Sequence, residues 1–385
     1  MDDLEARRRD YLRLCLAEGV GPVTVRRLLE RFGSVRAAVA AGPGAWREVP
    51  GVGDATAAAL AAVDERAIDA ELALAAEHGA AVLCLDDPSY PPALRHLPGA
   101  PPVLYVLGEL VEADAVAVAI VGARRCSTYG LEQSRRFGEL LGRAGLTVVS
   151  GGARGIDAAA HRGALRAGGR TVAVMGCGLS RLYPPDNAKL FRQILDAGRG
   201  AVVSELPMRI GVKPRNFPTR NRIISGLSLG VLVIEAARRS GSLITARLAL
   251  EQGKDVFAVP GRVDSPFSAG TNQLIADGAA KLTARLEDVL DALGEVGSVL
   301  RAEGAEEPPP PAVELSAVEA ELLEQLTAVE LSLDELVRRT GRPAAEVTAA
   351  MTTLAIKGVV ARKPGGVFAR RRPGRGASGG KEGPS

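Results

Sequence analysis

Aromatic residues make up only 3% of this 385-residue chain. Its core must therefore be built from Ala, Val, Leu and Ile, and any exposed aromatic stands out. Cysteine is equally sparse. Cys15, Cys84, Cys126 and Cys177 are far apart with no CxxC pair, and His78, His96 and His161 are just as dispersed. That excludes zinc-ligand spacing and a disulfide framework, and it fits reduced thiols used for packing. No apolar run is long enough to span a bilayer, and the opening MDDLEARRRD has no apolar signal core. The expectation is a soluble, cytoplasmic protein with no membrane partner. Net charge is only +3, so any affinity for nucleic acid must come from local clusters. The phosphate-loop pattern GxxxxGK[ST] is absent. The first sheet strand ends in VGARRC rather than GxGxxG, and SGGARG after the second has no downstream ribose acid. No Ser-His-Asp, Cys-His or paired-carboxylate arrangement stands out. The sequence thus offers no catalytic residue, no metal site and no cofactor, and the chain is read as a non-enzyme.

What is present is organisation. The length calls for two or three domains. Residues 1–80 read as a small helical domain: a helical region over 10–30 broken by Gly19-Val20-Gly21-Pro22, and a second such turn at Gly51-Val52-Gly53 before an Ala-rich helix at 55–62. Apolar-Gly-Val-Gly between helices resembles a helix-hairpin-helix turn, or equally a tight interhelical turn; Trp46 reads as core. A proline-rich connector over 86–102 leads to a short strand at 103–107. Residues 81–295 then repeat strand, Gly-rich turn and helix. Strands are predicted at 116–121, 147–150, 171–175, 201–204, 231–234 and 255–259, and helices at 129–143, 155–167, 187–197, 222–225 and 243–252. That alternation predicts an α/β fold, a doubly wound, mainly parallel, extended Rossmann-like sheet whose ligand sits beyond the strands' carboxyl ends. An acidic and then proline-rich linker is expected over 296–313. A winged-helix module is expected over 314–370, with helices at 316–327, 332–340 and 343–357 and a hairpin after them. Its third helix offers only Arg342, Glu346 and Lys357 for contact, which suits protein contact or a structural role as well as DNA. The Arg-Gly-rich tail over 371–385 reads as disordered.

The distinctive residues converge on that carboxyl edge. Gly122-Ala123-Arg124 follows the first of these strands, Ser150-Gly151-Gly152-Ala153-Arg154-Gly155 the second, and Ser240-Gly241-Ser242 opens a helix after the fifth. The loop carrying Lys213, Arg215, Phe217, Arg220, Asn221 and Arg222 is basic and aromatic; five cations and no acid lie between Leu206 and Ile234. Backbone nests with arginines around them suit phosphates, and an aromatic among them suits bases. Arg220 and Arg222 straddle Asn221, so on a helix they cannot face one partner. One is free to pair with Glu205 or Glu235. Asp157 reads as a cap or first-turn acid, His161 as structural, and Glu235 as the partner of an arginine.

VGARRCSTYG, VVSGGARGIDAAAH, GCGLSRLYPPDN, SELP, FPTRNRIISGLS, SGSLITARLALEQGKDVFAVPG and GTNQLIADGA, in this order, closely resemble the DNA-processing protein A (DprA/Smf) family over roughly 88–290. The resemblance implies an extended Rossmann fold that binds single-stranded DNA, with no established catalysis. It also implies loading of a RecA-type recombinase, notably in natural transformation, and a homodimer. Carried over, it makes Gly122, Ala123 and Arg124 the first phosphate loop, with Ala123 in place of the usual hydroxyl. Ser150, Gly151, Gly152, Ala153 and Gly155 become the second nest. Lys213 or Arg215, with Phe217, Arg220, Asn221 and Arg222, becomes the basic pocket, lined also by Ser240, Gly241 and Ser242. Charge reversal at Arg124 or Arg220 is then expected to weaken DNA binding. The rival class is a nucleotide hydrolase resembling the lysine-decarboxylase-like phosphoribohydrolases, with Glu235 and the SGS turn as its site, although that family's PGGxGT loop is absent here.

Overall fold

A computed structural model describes residues 3–303, 315–326, 331–357, 359–362 and 367–370. It divides into two compact units, residues 1–305 and 306–385. The first unit opens with six helices: α1 (Asp3–Leu16), α2 (Pro22–Phe32), α3 (Val35–Ala40), α4 (Gly42–Trp46), α5 (Asp54–Ala62) and α6 (Glu65–Glu77). The two Gly-Val-Gly segments supply the entries to α2 and α5, whose N-caps are Gly21 and Gly53. Trp46 is buried, with its indole N–H donated to the Ala38 carbonyl at 2.6 Å, a core residue as its sequence context indicates.

Next come β1 (Ala81–Cys84), α7 (Pro92–Arg95), β2 (Val103–Gly108), β3 (Ala117–Gly122), α8 (Thr128–Arg143), β4 (Thr147–Ser150), α9 (Ile156–Arg166), β5 (Thr171–Val174), α10 (Ala188–Asp196) and β6 (Gly200–Ser204). They are followed by α11 (Asn216–Gly226), β7 (Gly230–Ile234), α12 (Gly241–Glu251), β8 (Asp255–Ala258), α13 (Ala269–Ala276), β9 (Lys281–Leu282), α14 (Leu286–Ala292) and α15 (Glu295–Glu303). The sheet order is β1-β2-β6-β5-β4-β3-β7-β8-β9. Strands from β6 through to β9 run parallel, while β1 and β2 form an antiparallel edge. The predicted doubly wound α/β sheet is therefore present. Its strand order reverses between β3 and β7, and the crevice beyond their carboxyl ends is the expected ligand position.

The period-2 alternation of the strands divides the core. Val118, Ile120, Val148, Leu232 and Ile234 face α8 and α9 through Phe137, Leu141, Ile156 and Ala160. Ala119, Val121, Val149, Val231 and Val233 face α11 and α12 through Ile223, Ile224, Ala246 and Ala249. The amino-terminal helices are not a separate globule. Leu12, Leu14 and Ile68 share a third cluster with Tyr105, Val202 and Phe191, because β1 and β2 extend the sheet beneath them.

Three expectations need correction. The basic loop with a short helix at 222–225 is instead one helix, α11, from Asn216 to Gly226. Pro218 is compatible because it lies in the first turn, where its missing N–H has no intrahelical acceptor. The linker does not begin at 296, since α15 occupies Glu295–Glu303 and packs back with Leu300 beside the α8–α9 core. The connector over 86–102 contains the single turn α7, whose Leu94 is wholly buried. The rest of the linker, from 304 to 313, and the tail over 371–385 lie outside the described residues.

The second unit contains α16 (Ala317–Gln325), β10 (Leu331–Ser332), α17 (Leu333–Thr340), α18 (Ala344–Ile356), β11 (Val360–Arg362) and β12 (Val367–Arg370). Its three helices and wing hairpin match the expectation, around a core of Leu322, Leu336, Val347, Met351 and Leu354. Arg342 is held by Glu321 and Glu346, and Lys357 by Glu319 at 2.7 Å. Both cations near α18 thus serve pairs within their own unit.

Candidate single-strand interface

The crevice beyond β3 and β7 holds a cavity of about 580 Å³, with a smaller one of about 240 Å³ beside it. Arg124, Ala153, Tyr183 and Phe217 line both. Gly122, Ser240, Gly241, Ser242, Asn221 and Arg220 line the larger, and Gly151 and Arg154 the smaller. Five segments that are distant in the chain therefore meet at one edge, because parallel strands deliver all their βα turns to the same side.

Phe217 lies in the first turn of α11, and the Arg124 guanidinium stacks over its ring at 4.8 Å from the centroid. Tyr183 approaches the same ring, with centroids 6.3 Å apart and planes tilted by 55°. Arg124 is exposed and makes no salt bridge among the described residues. Lys213 and Arg215 are exposed just ahead of α11.

The second nest is built by backbone geometry. Gly152 and Gly155 have φ of 66° and 77°, and Asn187 donates to the Gly152 and Ala153 carbonyls at 2.9 and 3.1 Å. A Cβ on Gly155 would lie 2.5 Å from the Ala123 carbonyl oxygen. Gly155→Ala therefore combines a left-handed strain with a backbone clash. It is expected to destabilise by more than about 1 kcal/mol and push the two glycine-rich loops apart, as urea unfolding will show. Ser150 contributes position rather than a ligand group, since its hydroxyl is buried and donates to the Ile120 carbonyl at 2.6 Å.

The two arginines astride Asn221 do diverge. Arg222 forms a fork on Glu205, with Nη1 to Oε1 at 2.6 Å and Nη2 to Oε2 at 2.5 Å, and donates through Nε to the Gly99 carbonyl at 2.9 Å. Its place is between α11 and the end of β6, away from the cavities, and its fork holds that junction. Arg220 points inward and is 4% exposed, donating from Nη1 to the Val174 carbonyl at 2.5 Å. A Cβ at Gly151 would lie 2.6 Å from Asp157 Oδ2 and 2.7 Å from Arg220 Nη2, so acid and base lie side by side beneath that glycine. Burial pulls the Arg220 guanidinium down to about 10, against the opposing pull of Asp157. Burial likewise raises the Asp157 carboxyl, while Arg220 and the Ala153 N–H act against that rise. Asp157 is therefore more than a first-turn acid: its charge favours that of Arg220 at the cavity floor. Asn221 is turned toward the SGS turn, 3.4 Å from the Gly241 carbonyl.

Glu235 has no arginine partner among the described residues. Its carboxylate accepts from the Ser127 N–H at 2.8 Å and from the Ser127 hydroxyl. It is buried and holds φ of 49° at the end of β7, tying that strand to the amino end of α8. His161 is buried, with Nδ1 at 2.7 Å from the Thr171 hydroxyl, and burial lowers its pKa to about 3. It is structural. Sequence reasoning missed Tyr183 as a lining residue, although an aromatic within LYPPDN in so aromatic-poor a chain was the available signal. No group of His, Cys, Asp and Glu able to hold a metal occurs among the described residues.

Comparison with known proteins agrees with this arrangement. Residues 81–294 match the model of the DNA recombination-mediator protein A family, residues 5–76 a DprA-like N-terminal HHH domain and residues 306–366 a DprA winged-helix domain. Protein Smf of Escherichia coli is 42% identical over 74% of this chain and 76% of its own length. Protein Smf of a Synechocystis strain is 36% identical over 92% and 96%. The crystal structure of DNA processing protein A from Streptococcus pneumoniae superposes with a TM-score of 0.64 at 34% identity, covering 73% of this chain and 97% of that one. A structure of the Helicobacter pylori protein, described for its single-stranded DNA binding mode, gives 0.50 at 31% identity over 56% and 95%. By its sheet order, its crevice and these matches, the chain belongs to the DNA recombination-mediator protein A (DprA/Smf) family.

Proposed function

We propose that this DNA-processing family member binds single-stranded DNA in the crevice at the carboxyl edge of its sheet. On that reading it protects incoming strands and loads a RecA-type recombinase onto them during natural transformation, acting as a cytoplasmic homodimer without catalysis. The observation that carries the reading is the free Arg124 guanidinium stacked on Phe217 between two backbone nests. That is one aromatic face for a base, and a cation with no salt bridge among the described residues beside N–H groups for the phosphates. Lys213 and Arg215 at the rim add charge without base-reading geometry, which suits sequence-tolerant binding. The hydrolase reading is disfavoured because Glu235, its only candidate acid, is buried with both oxygens held by Ser127.

The test is fluorescence anisotropy of labelled poly-dT and of the matching duplex over a salt series. Three phosphate contacts, from Arg124, Lys213 and Arg215, give a slope of log K against log salt of roughly −2 for single strands. Preference for the single strand with that slope supports the reading. Equal affinity for duplex, or for an unrelated polyanion, sinks it. Recombinase loading is tested separately, by whether the protein shortens the lag of recombinase filament formation on strands coated with a single-strand-binding protein.

A further inference from the structure

The two cavities share a wall, and that wall is the most chemically loaded cluster in the crevice. Arg124 and Phe217 form it, with Tyr183 on its far side. Tyr183 is 36% exposed, and no hydrogen-bond partner of its hydroxyl occurs among the described residues. The smaller compartment beyond it is lined by three arginines, Arg124, Arg125 and Arg154, together with the backbone of Gly151 and Gly176 and no acid. Among the described residues Arg154 is held by Asp186 alone, in an ion pair whose partners are 60% and 57% exposed. Such a pair contributes little and yields readily to a phosphate. Gly176 lies against Phe217, where a Cβ would come within 3.0 Å of the ring. The guanidinium covers one face of that ring.

We propose that the smaller compartment is a second nucleotide subsite, in which Tyr183 stacks one base and Arg125 and Arg154 take its phosphate. The strand then crosses the Arg124–Phe217 divider, with one nucleotide unit on each side. This rests on the single-strand reading above and deepens it. At about 240 Å³ the compartment is below the roughly 300–1,000 Å³ of a drug-sized ligand site. It suits one nucleotide unit, not a folded segment or a duplex end.

The experiment is anisotropy with oligo-dT of graded length, on wild type, Tyr183→Ala, Tyr183→Phe and Arg154→Glu, each checked by circular dichroism. Arg154 is an exposed position whose change leaves the core untouched, so it keeps the test open should Tyr183→Ala fail to fold. Wild-type affinity should rise with length in two steps. Tyr183→Ala and Arg154→Glu should remove the second step, a loss of about tenfold on long oligomers, and Arg154→Glu, at a position that lines only the smaller compartment, should leave the shortest binding oligomer unaffected. Tyr183→Phe should keep both steps. Uniform weakening at all lengths, or none, overturns the second subsite while leaving the crevice as the DNA site. Absence of wild-type binding at every length overturns both.

Discussion

Arg220→Ala is expected to cost about 1–3 kcal/mol of folding stability or more, because it removes a buried cation whose field stabilises the buried Asp157 carboxylate. Measured as a DNA-binding mutant, it would mislead. The guanidinium is 4% exposed, its Nη1 satisfies the Val174 carbonyl at 2.5 Å, and Asp157 lies beside it under Gly151. Truncation removes the strongest stabiliser of the buried Asp157 charge, leaving the Ala153 N–H at 3.2 Å and smaller contributions from Arg124 and Ser150. The carboxyl, already raised by burial, must then rise further. The sign of the pH dependence follows. A folded-state pKa above the unfolded one means the folded variant holds more protons, so its stability falls as pH rises through that pKa. The deficit relative to wild type should therefore shrink on acidification toward the unfolded carboxylate value near 3.9. Urea unfolding of both proteins between pH 5 and 8 measures it, and a deficit below about 1 kcal/mol, or one independent of pH, would show the pair to be unimportant. Replacing both partners, Arg220→Met with Asp157→Leu, should cost less than the single change because no uncompensated charge remains.

That pair also marks where the sequence stopped being informative. The strands were legible because buried parallel strands are near-continuous apolar runs, and β7, as LGVLVI, has no competing reading. The convergence of VGAR, SGGARG and SGS on one edge followed from topology alone. The divergence of Arg220 and Arg222 followed from helical geometry, down to Glu205 as one candidate partner. What stayed hidden depended on tertiary contacts of high sequence separation. Nothing local distinguishes Arg220, which goes inward to Asp157, from Arg124, which stays free. Glu235 accepts from Ser127, 108 residues away, a contact no periodicity encodes. The start of α11 was missed because Pro214 and Pro218 read as loop punctuation, although a proline in the first turn is compatible with a helix. Tyr183 lies in a stretch with neither helical nor strand periodicity. It becomes significant only once Phe217 is seen beside it.

Arg124→Glu carries the largest expected effect on binding, at least a hundredfold on oligo-dT at moderate salt. Three losses coincide. The guanidinium no longer reaches the phosphates, an interaction of the charge-assisted kind worth about 1.5–3 kcal/mol. The stack at 4.8 Å over Phe217 disappears, and with it the platform against which a base is ordered. A carboxylate also faces the incoming phosphates between the two nests. Because Arg124 is exposed and makes no salt bridge among the described residues, its replacement should leave folding within about 0.5 kcal/mol of wild type. Arg124→Glu and Arg220→Ala thus separate cleanly, the first abolishing binding in a stable protein and the second unfolding a protein whose DNA contacts are otherwise intact. Arg124→Lys discriminates further. It restores the charge but not the planar stack, so it should recover the salt slope while regaining only part of the affinity. Full recovery by lysine would mean that the cation alone matters and that Phe217 is packing. If Arg124→Glu still binds single strands tightly, the crevice between β3 and β7 is not where this protein holds its DNA.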